Sequence, residues 1–191
     1  DVEVAYVIHA DAAHILLVAA ETPEGLGVFL AEGDARGLTR SPLSTFDKTL
    51  RLSRLRFDAT PVRRIETRRE AGEALADALD LARVALAGEQ AGGARRVLEI
   101  TVDYVKSRIQ FGRQIGSFQA IKHMAADLLL EVESATSAAR EAARLLSAGT
   151  SSAGAAISLA ASACGDAFVK VSADAIQMHG GGKNSNPFVK R

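Results

Sequence analysis

The sequence predicts an α+β protein: a partial antiparallel β domain followed by an antiparallel α-helical bundle. Two observations predict it. Residues 2–58 break into short apolar runs with strand periodicity, separated by turn residues. After Pro61 no proline occurs until Pro187, and the chain between them reads as long, alanine-rich amphipathic helices. The expected domains are 1–62 and 63–191.

In the β half, VEVAYVIH alternates, HILLVAAE is a buried apolar run, and GLGVFLAE follows the turn ETPEG. TLRLSRLRFD alternates with an imperfect period of two at Leu50, Leu52, Leu55 and Phe57, which predicts a bulge or twist there. Pro23, Pro42 and Pro61 punctuate turns.

The first helical pattern runs from about Thr67 to Gln110, with Leu75, Leu79, Leu86, Val97, Val102, Val105 and Ile109 as its apolar positions. Gly92-Gly93 is its weak point and predicts a bend, because each glycine costs a helix up to ~1 kcal/mol against alanine. The second helix is expected to start at an Ser117 N-cap and to end near Gly149. Its expected stripe is Phe118, Ile121, Ala125, Leu128, Val132, Thr136, Ala139 and Leu146. The third follows Thr150-Ser151-Ser152 and reaches the glycines at 180–182, with Leu159, Phe168, Val171 and Ile176 as its apolar face. Short connections imply antiparallel neighbours, and the spare apolar area implies oligomerisation.

Bulk properties exclude several functions. Lys+Arg and Asp+Glu number 23 each, a balance that argues against an extended nucleic-acid footprint. The single Cys164 excludes an internal disulfide and reads as a buried structural thiol. His9, His14, His123 and His179 have neither i,i+4 spacing nor a cysteine partner, so no metal site is expected. No basic start precedes the first apolar run and no membrane span is expected, so the chain reads as cytoplasmic.

Between the first two helices lies RIQFGRQIGSFQAIKH, Arg108–His123, rich in groups that grip a flat anion and poor in groups that react. Arginine takes phosphate oxygens in a bidentate fork, glycine lets backbone N–H groups come close, and aromatic rings cover a ring edge. A dinucleotide-binding G-x-G-x-x-G is not present, because G-R-Q-I-G has the wrong spacing and follows a helix.

This stretch, preceded by ITVDYVKS, closely resembles the acyl-CoA dehydrogenase family at its C-terminal helical domain. AIQMHGG at Ala175–Gly181 resembles that family's second flavin-contact motif, and the segment from AHILLVAAE to DATPV resembles part of its middle β domain. The resemblance implies an FAD cofactor, with this loop and the Gly-Gly motif reaching across a dimer interface to FAD held mainly by another subunit. It implies that Arg108 meets the diphosphate, that Gln110 and Phe111 flank the dinucleotide, and that Ile115, Phe118 and Gln119 line the cleft. Gln177, Gly180 and Gly181 would meet the adenosine-diphosphate portion. It also implies an acyl-CoA substrate, a self or paralogous partner subunit in a dimer or tetramer, and electron-transfer flavoprotein as a partner.

Members of this family remove an α-proton with a glutamate while the β-hydride passes to flavin. The base lies either in a Tyr-Glu-Gly context, which does not occur here, or just before the arginine of an Asp-x-x-Arg arrangement. That arrangement is Asp80-Leu81-Ala82-Arg83, and the base position is Ala82, which cannot take a proton. No catalytic residue is therefore assigned. Asp80 and Arg83 are implied to lie near acyl-CoA or the partner flavin. Glu89, two helical turns on, reads as a surface group rather than a replacement base. The family pattern is also departed from after the Gly-Gly motif, where the sequence reads GGGKNSNPFVKR.

Two functional expectations follow. The chain is part of an FAD-dependent acyl-CoA dehydrogenase whose other parts supply the base, or it is the base-lacking subunit of a heteromeric dehydrogenase of the steroid or side-chain type. A scaffold that merely inherited the fold is the weakest reading, having no reason to keep Arg108, Gln110 and the Gln177–Gly181 run together.

Overall fold

The computed structural model describes residues 2–66 and 69–180. The chain divides into two compact units, Asp1–Ala76 and Asp77–Arg191.

The first unit holds two small antiparallel sheets. One has the order β1-β5-β4, from Val2–Ile8, Leu52–Phe57 and Leu38–Pro42; the other has β2-β3-β6, from Ile15–Thr22, Gly25–Glu32 and Arg63–Arg64. The β2–β3 hairpin is in full register from Ile15↔Glu32 to Thr22↔Gly25. Its turn is closed by Thr22 Oγ1, which donates to the Gly25 carbonyl at 2.8 Å and accepts the Glu24 N–H at 3.2 Å. The irregularity expected near Leu50–Phe57 lies on the partner strand instead. Val4 faces Leu55 and Val7 faces Ser53, so β1 carries the extra residue, and Tyr6 takes a φ of 62° to absorb it. Strand β4 was not expected, because LTRSP is polar and ends in proline; it is tolerated as an edge strand beside β5. Ala10, Leu16, Ala31 and Leu55 form the small core of this unit.

The helices are α1 Ala71–Ser107, α2 Gln119–Ser147 and α3 Ala153–Met178. They pack up-down-up. One end of the core joins Ala87 and Ala91 to Ala139, Ala142, Ile157 and Ala160, and the other joins Val97 and Val105 to Leu128, Val132, Val171 and Met178. At the first end alanine supplies most of the buried residues, whereas valine, leucine and methionine fill most of the second. Leu159 is 66% exposed and Ile176 is exposed too, which corrects the expected face of α3 to Ile157, Ala160, Cys164, Ala167, Val171, Ala175 and Met178. Leu79 and Leu86 of α1 likewise face outward.

α1 runs unbroken through Gly92-Gly93, where a bend was expected. The reason is steric at Gly93: a Cβ there would stand 2.8 Å from Cε2 of Phe168 on α3, so the glycine makes room for a ring rather than for a hinge. Ser117 does not cap α2. It closes a 3-10 turn, Ile115–Ser117, and its hydroxyl donates to the Gln114 carbonyl at 2.7 Å, leaving Phe118 as the cap residue. α2 ends as expected, with Gly149 at φ 62°.

Cys164 is buried, its thiol donating to the Ala135 carbonyl at 3.3 Å, and burial pushes its pKa up, so the thiolate is disfavoured. By length and composition alone, α3 is long and apolar enough to cross a membrane, a test that the core helix of a bundle also passes. Its alanine face is buried in the bundle, and it carries Asp166, Lys170 and Asp174.

Candidate functional site at the end of the helical bundle

The stretch after α1 folds as a miniature hairpin. β7 Ile109–Gln110 pairs antiparallel with β8 Arg113–Gln114, in the register Ile109↔Gln114 and Gln110↔Arg113. The two residues between them, Phe111 and Gly112, have φ of 53° and 77°, the double positive φ of a type I′ turn. Glycine accepts that conformation readily; phenylalanine does not. Phe111 is nevertheless held there with its ring 91% exposed. An aromatic group that is both strained and solvated is a poor choice for folding and a good one for contact with a ligand.

The hairpin is seated on the last turn of α1. The Arg108 N–H donates to the Tyr104 carbonyl at 2.8 Å, and the Ile115 N–H donates to the Arg108 carbonyl at 2.9 Å. Gly116 lies against the next residue of α1: a Cβ would meet the Val105 carbonyl oxygen at 3.0 Å. Phe118 is half-buried beneath this loop. The Arg113 guanidinium sits 4.0 Å over its ring, and the Phe111 ring meets it edge-on with centroids 6.2 Å apart. Gln119 is exposed, and its amide hydrogen-bonds His123 Nε2 at 3.0 Å. Gln110 and Arg108 are exposed, and among the described residues the Arg108 guanidinium has no ion-pair partner. No carboxylate occurs between Asp103 and Asp127, whereas Lys106, Arg108, Arg113 and Lys122 all do. The stretch is therefore locally basic, a potential that favours an anion.

The end of α3 arrives at the same place. Tyr104 and His179 stack with ring centroids 4.1 Å apart and planes 17° apart. His179 is 7% exposed, and its Nε2 is buried without a hydrogen-bond partner; burial pushes its pKa down, so the ring is neutral at pH 7. Gln177 and Gly180 are exposed on either side of it. The Gly180 N–H donates to the Gln177 carbonyl at 2.9 Å, and Gly180 has a φ of 89°. Gly181 lies outside the described residues. The stack thus brings the Arg108 hairpin and the Gln177–Gly180 run to one end of the bundle. Sequence reasoning missed Tyr104, Arg113 and His179. The spacing of Tyr104 four residues before Arg108 was legible, but nothing local ties it to a residue on α3.

Asp80 and Arg83 lie elsewhere. They form an ion pair at 2.7 Å on α1, with Ala82 exposed between them in sequence. Arg83 is roughly 37 Å along the helix from Arg108, at about 1.5 Å per residue. The two groups of one chain therefore cannot act on one small molecule. Glu89 is exposed. Among the described residues no three His, Cys, Asp or Glu side chains gather as metal ligands.

Comparison with known proteins gives the following. The sequence model described as "Acyl-CoA dehydrogenase, C-terminal domain" matches residues 71–185. "Acyl-CoA dehydrogenase IpdE2" of Mycobacterium tuberculosis is 37% identical over 179 residues, covering 92% of this chain and 48% of that protein. The solved structure described as "Tcur3481-Tcur3483 steroid ACAD G363A variant" is 34% identical with a TM-score of 0.84, over 97% of this chain and 50% of that one. "PigA with FAD and proline" is 26% identical with a TM-score of 0.87, over 94% and 49%. The chain spans about half the length of the curated relatives it matches.

Proposed function

The chain belongs to the acyl-CoA dehydrogenase family, and from that premise we propose that it forms one wall of an FAD site in an enzyme that desaturates an acyl-CoA thioester between its α and β carbons. The observation that carries this reading is the convergence of the Arg108 hairpin and the Gln177–Gly180 run through the Tyr104–His179 stack. The residues present fit the cofactor. An exposed arginine without an ion-pair partner among the described residues suits a diphosphate, an exposed aromatic ring suits a nucleobase face, and the open glycine at the end of α3 lets a ligand approach the backbone. Bound FAD supplies the hydride acceptor of the reaction.

In this reading Arg108 neutralises the diphosphate, and Gln110 and Phe111 flank the dinucleotide. Ile115, Phe118 and Gln119 line the cleft, and Gln177, Gly180 and Gly181 meet the adenosine-diphosphate portion. Asp80 and Arg83 serve a second site, near acyl-CoA or a partner's flavin. The separation of roughly 37 Å along α1 supports the division: one subunit's hairpin completes the cofactor site of another. An FAD held there would need an electron acceptor, for which electron-transfer flavoprotein is the proposed partner.

Ala82 favours a second reading, in which the chain is the base-lacking subunit of a heteromeric dehydrogenase. The similarity to a steroid ACAD whose name joins two components supports it. Intact mass and a visible spectrum of the natively purified protein separate the two. A longer polypeptide with about one FAD per chain supports the first reading. A mass of 20.1 kDa, with flavin only when a second polypeptide co-purifies, supports the second. Absence of flavin from every assembly sinks both.

A further inference from the structure

Tyr104 serves the proposed cofactor site from two sides. Its carbonyl accepts the Arg108 N–H at 2.8 Å and the Ser107 hydroxyl at 3.0 Å, which fixes the start of the hairpin. The Val105 backbone beside it seats Gly116, which fixes the hairpin's return. The Tyr104 ring, meanwhile, carries the imidazole of His179 at 4.1 Å. His179 is the cap residue of α3, with its N–H donating to the Ala175 carbonyl at 3.0 Å, and Gln177 and Gly180 flank it in sequence. Because Nε2 has no partner, no hydrogen bond from that nitrogen orients the imidazole; the face of Tyr104 does.

We propose that His179 is a positioning residue: stacked on Tyr104, it fixes the Gln177–Gly180 end of α3 against the Arg108 hairpin so that both grip a single dinucleotide. This rests on the FAD reading above. The helical core brings Val105 and Met178 to the same end of the bundle, and the ring stack adds a contact beside the two motifs themselves. The hairpin leaves α1 after Ser107, and Gln177 and Gly180 lie in and after the last turn of α3. Helix ends fray, and the ring stack is the aromatic contact between residues adjoining the two motifs, added to the packing of Met178 against the same core. A flat aromatic ring without nitrogen, as in phenylalanine, can keep the stack although it is larger, whereas a methyl group removes it.

The test uses the intact protein in its native assembly, stripped of flavin and titrated with FAD. Four variants are compared with wild type: His179→Ala, Tyr104→Ala, the two combined, and His179→Phe. Far-UV melts of each apoprotein register any loss of fold. The expected result is that His179→Ala and Tyr104→Ala each weaken FAD binding about tenfold, and that the pair together weaken it no more than the worse single change. His179→Phe should restore binding, which general damage to the helix end would not predict. Wild-type affinity in His179→Ala, or additive losses in the double variant, overturns the proposal. Arg108→Ala separates the two levels. If it loses flavin while His179→Ala keeps it, the positioning role falls and the cofactor reading stands. If Arg108→Ala binds FAD as wild type does, both fall together.

Discussion

Tyr104 stacks on His179 with ring centroids 4.1 Å apart, and this contact joins the end of α1 to the end of α3. Neither residue belongs to the groups that a sequence reader would pick to hold a cofactor. In the proposed cofactor site their contact lies beside both motifs: Arg108 follows one ring by four positions, and Gln177 precedes the other by two. Asp80 and Arg83, on the same helix as Tyr104, are left far down its axis.

Arg108 is the first residue to test. If Arg108 holds the diphosphate as proposed, replacing it with alanine removes a charge-assisted contact worth about 1.5–3 kcal/mol, and FAD affinity should fall roughly 10- to 150-fold. Lysine should rescue only in part, because it keeps the charge and loses the planar fork. Flavin content by absorbance after gel filtration reads both variants. Equal flavin in wild type and Arg108→Ala would count decisively against the assignment.

Phe111 sets folding against binding. A two-residue type I′ turn prefers Asn-Gly, and here the first position is a strained, exposed phenylalanine before Gly112. Phe111→Asn should relax the hairpin and leave thermal stability equal or slightly higher, while flavin affinity drops. Stability and affinity falling together would show that the ring holds the fold, through its edge contact with Phe118, rather than a ligand.

His179 gives the protein a sensitivity to acid. Burial holds its folded pKa below the ordinary 6.5. The folded state therefore binds fewer protons than the unfolded state as pH drops. The stability this group contributes is complete above about pH 6.5 and is lost as pH falls through the folded value. Melting temperature should decline from pH 7 to pH 5, and His179→Phe should lack that part of the decline. An identical pH dependence in the two proteins would show that another group titrates.

What the sequence made legible follows the range of each signal. Turn and cap residues act locally, so Gly149, the Thr150–Ser152 cluster and the ETPEG turn marked their elements correctly. The Asp-x-x-Arg arrangement, the Arg108 stretch and the Gln177–Gly181 run were legible as strings, and all of them lie within the residues 71–185 that the family model matches. The buried faces were not. Size was taken as the sign of burial, and Leu159, Ile176 and Leu86 were placed inward, whereas Ala160, Ala167 and Ala87 occupy the core. Alanine looks neutral in a pattern, yet it is what allows helices to approach. The Tyr104–His179 stack pairs residues 75 positions apart, a relationship no local spacing encodes.

Gly92 and Gly93 make that last point measurable. Adjacent in sequence, both would be read as helix weaknesses, and alanine at either removes a penalty of up to ~1 kcal/mol. A Cβ at Gly92 meets nothing within 4 Å, so Gly92→Ala should raise stability by about that amount. A Cβ at Gly93 would press on the Phe168 ring at 2.8 Å, and overpacking costs about 1–3 kcal/mol. Phe168 is partly exposed and can give somewhat, so Gly93→Ala should fall at the low end of that cost and come out near or below wild type. Urea melts of the two variants, side by side, read the difference. If Gly93→Ala matches the gain of Gly92→Ala, the close approach of α1 to Phe168 is not a constraint. If instead Gly93→Ala lacks the gain, adding Phe168→Leu should restore it only if the ring is what the methyl group meets.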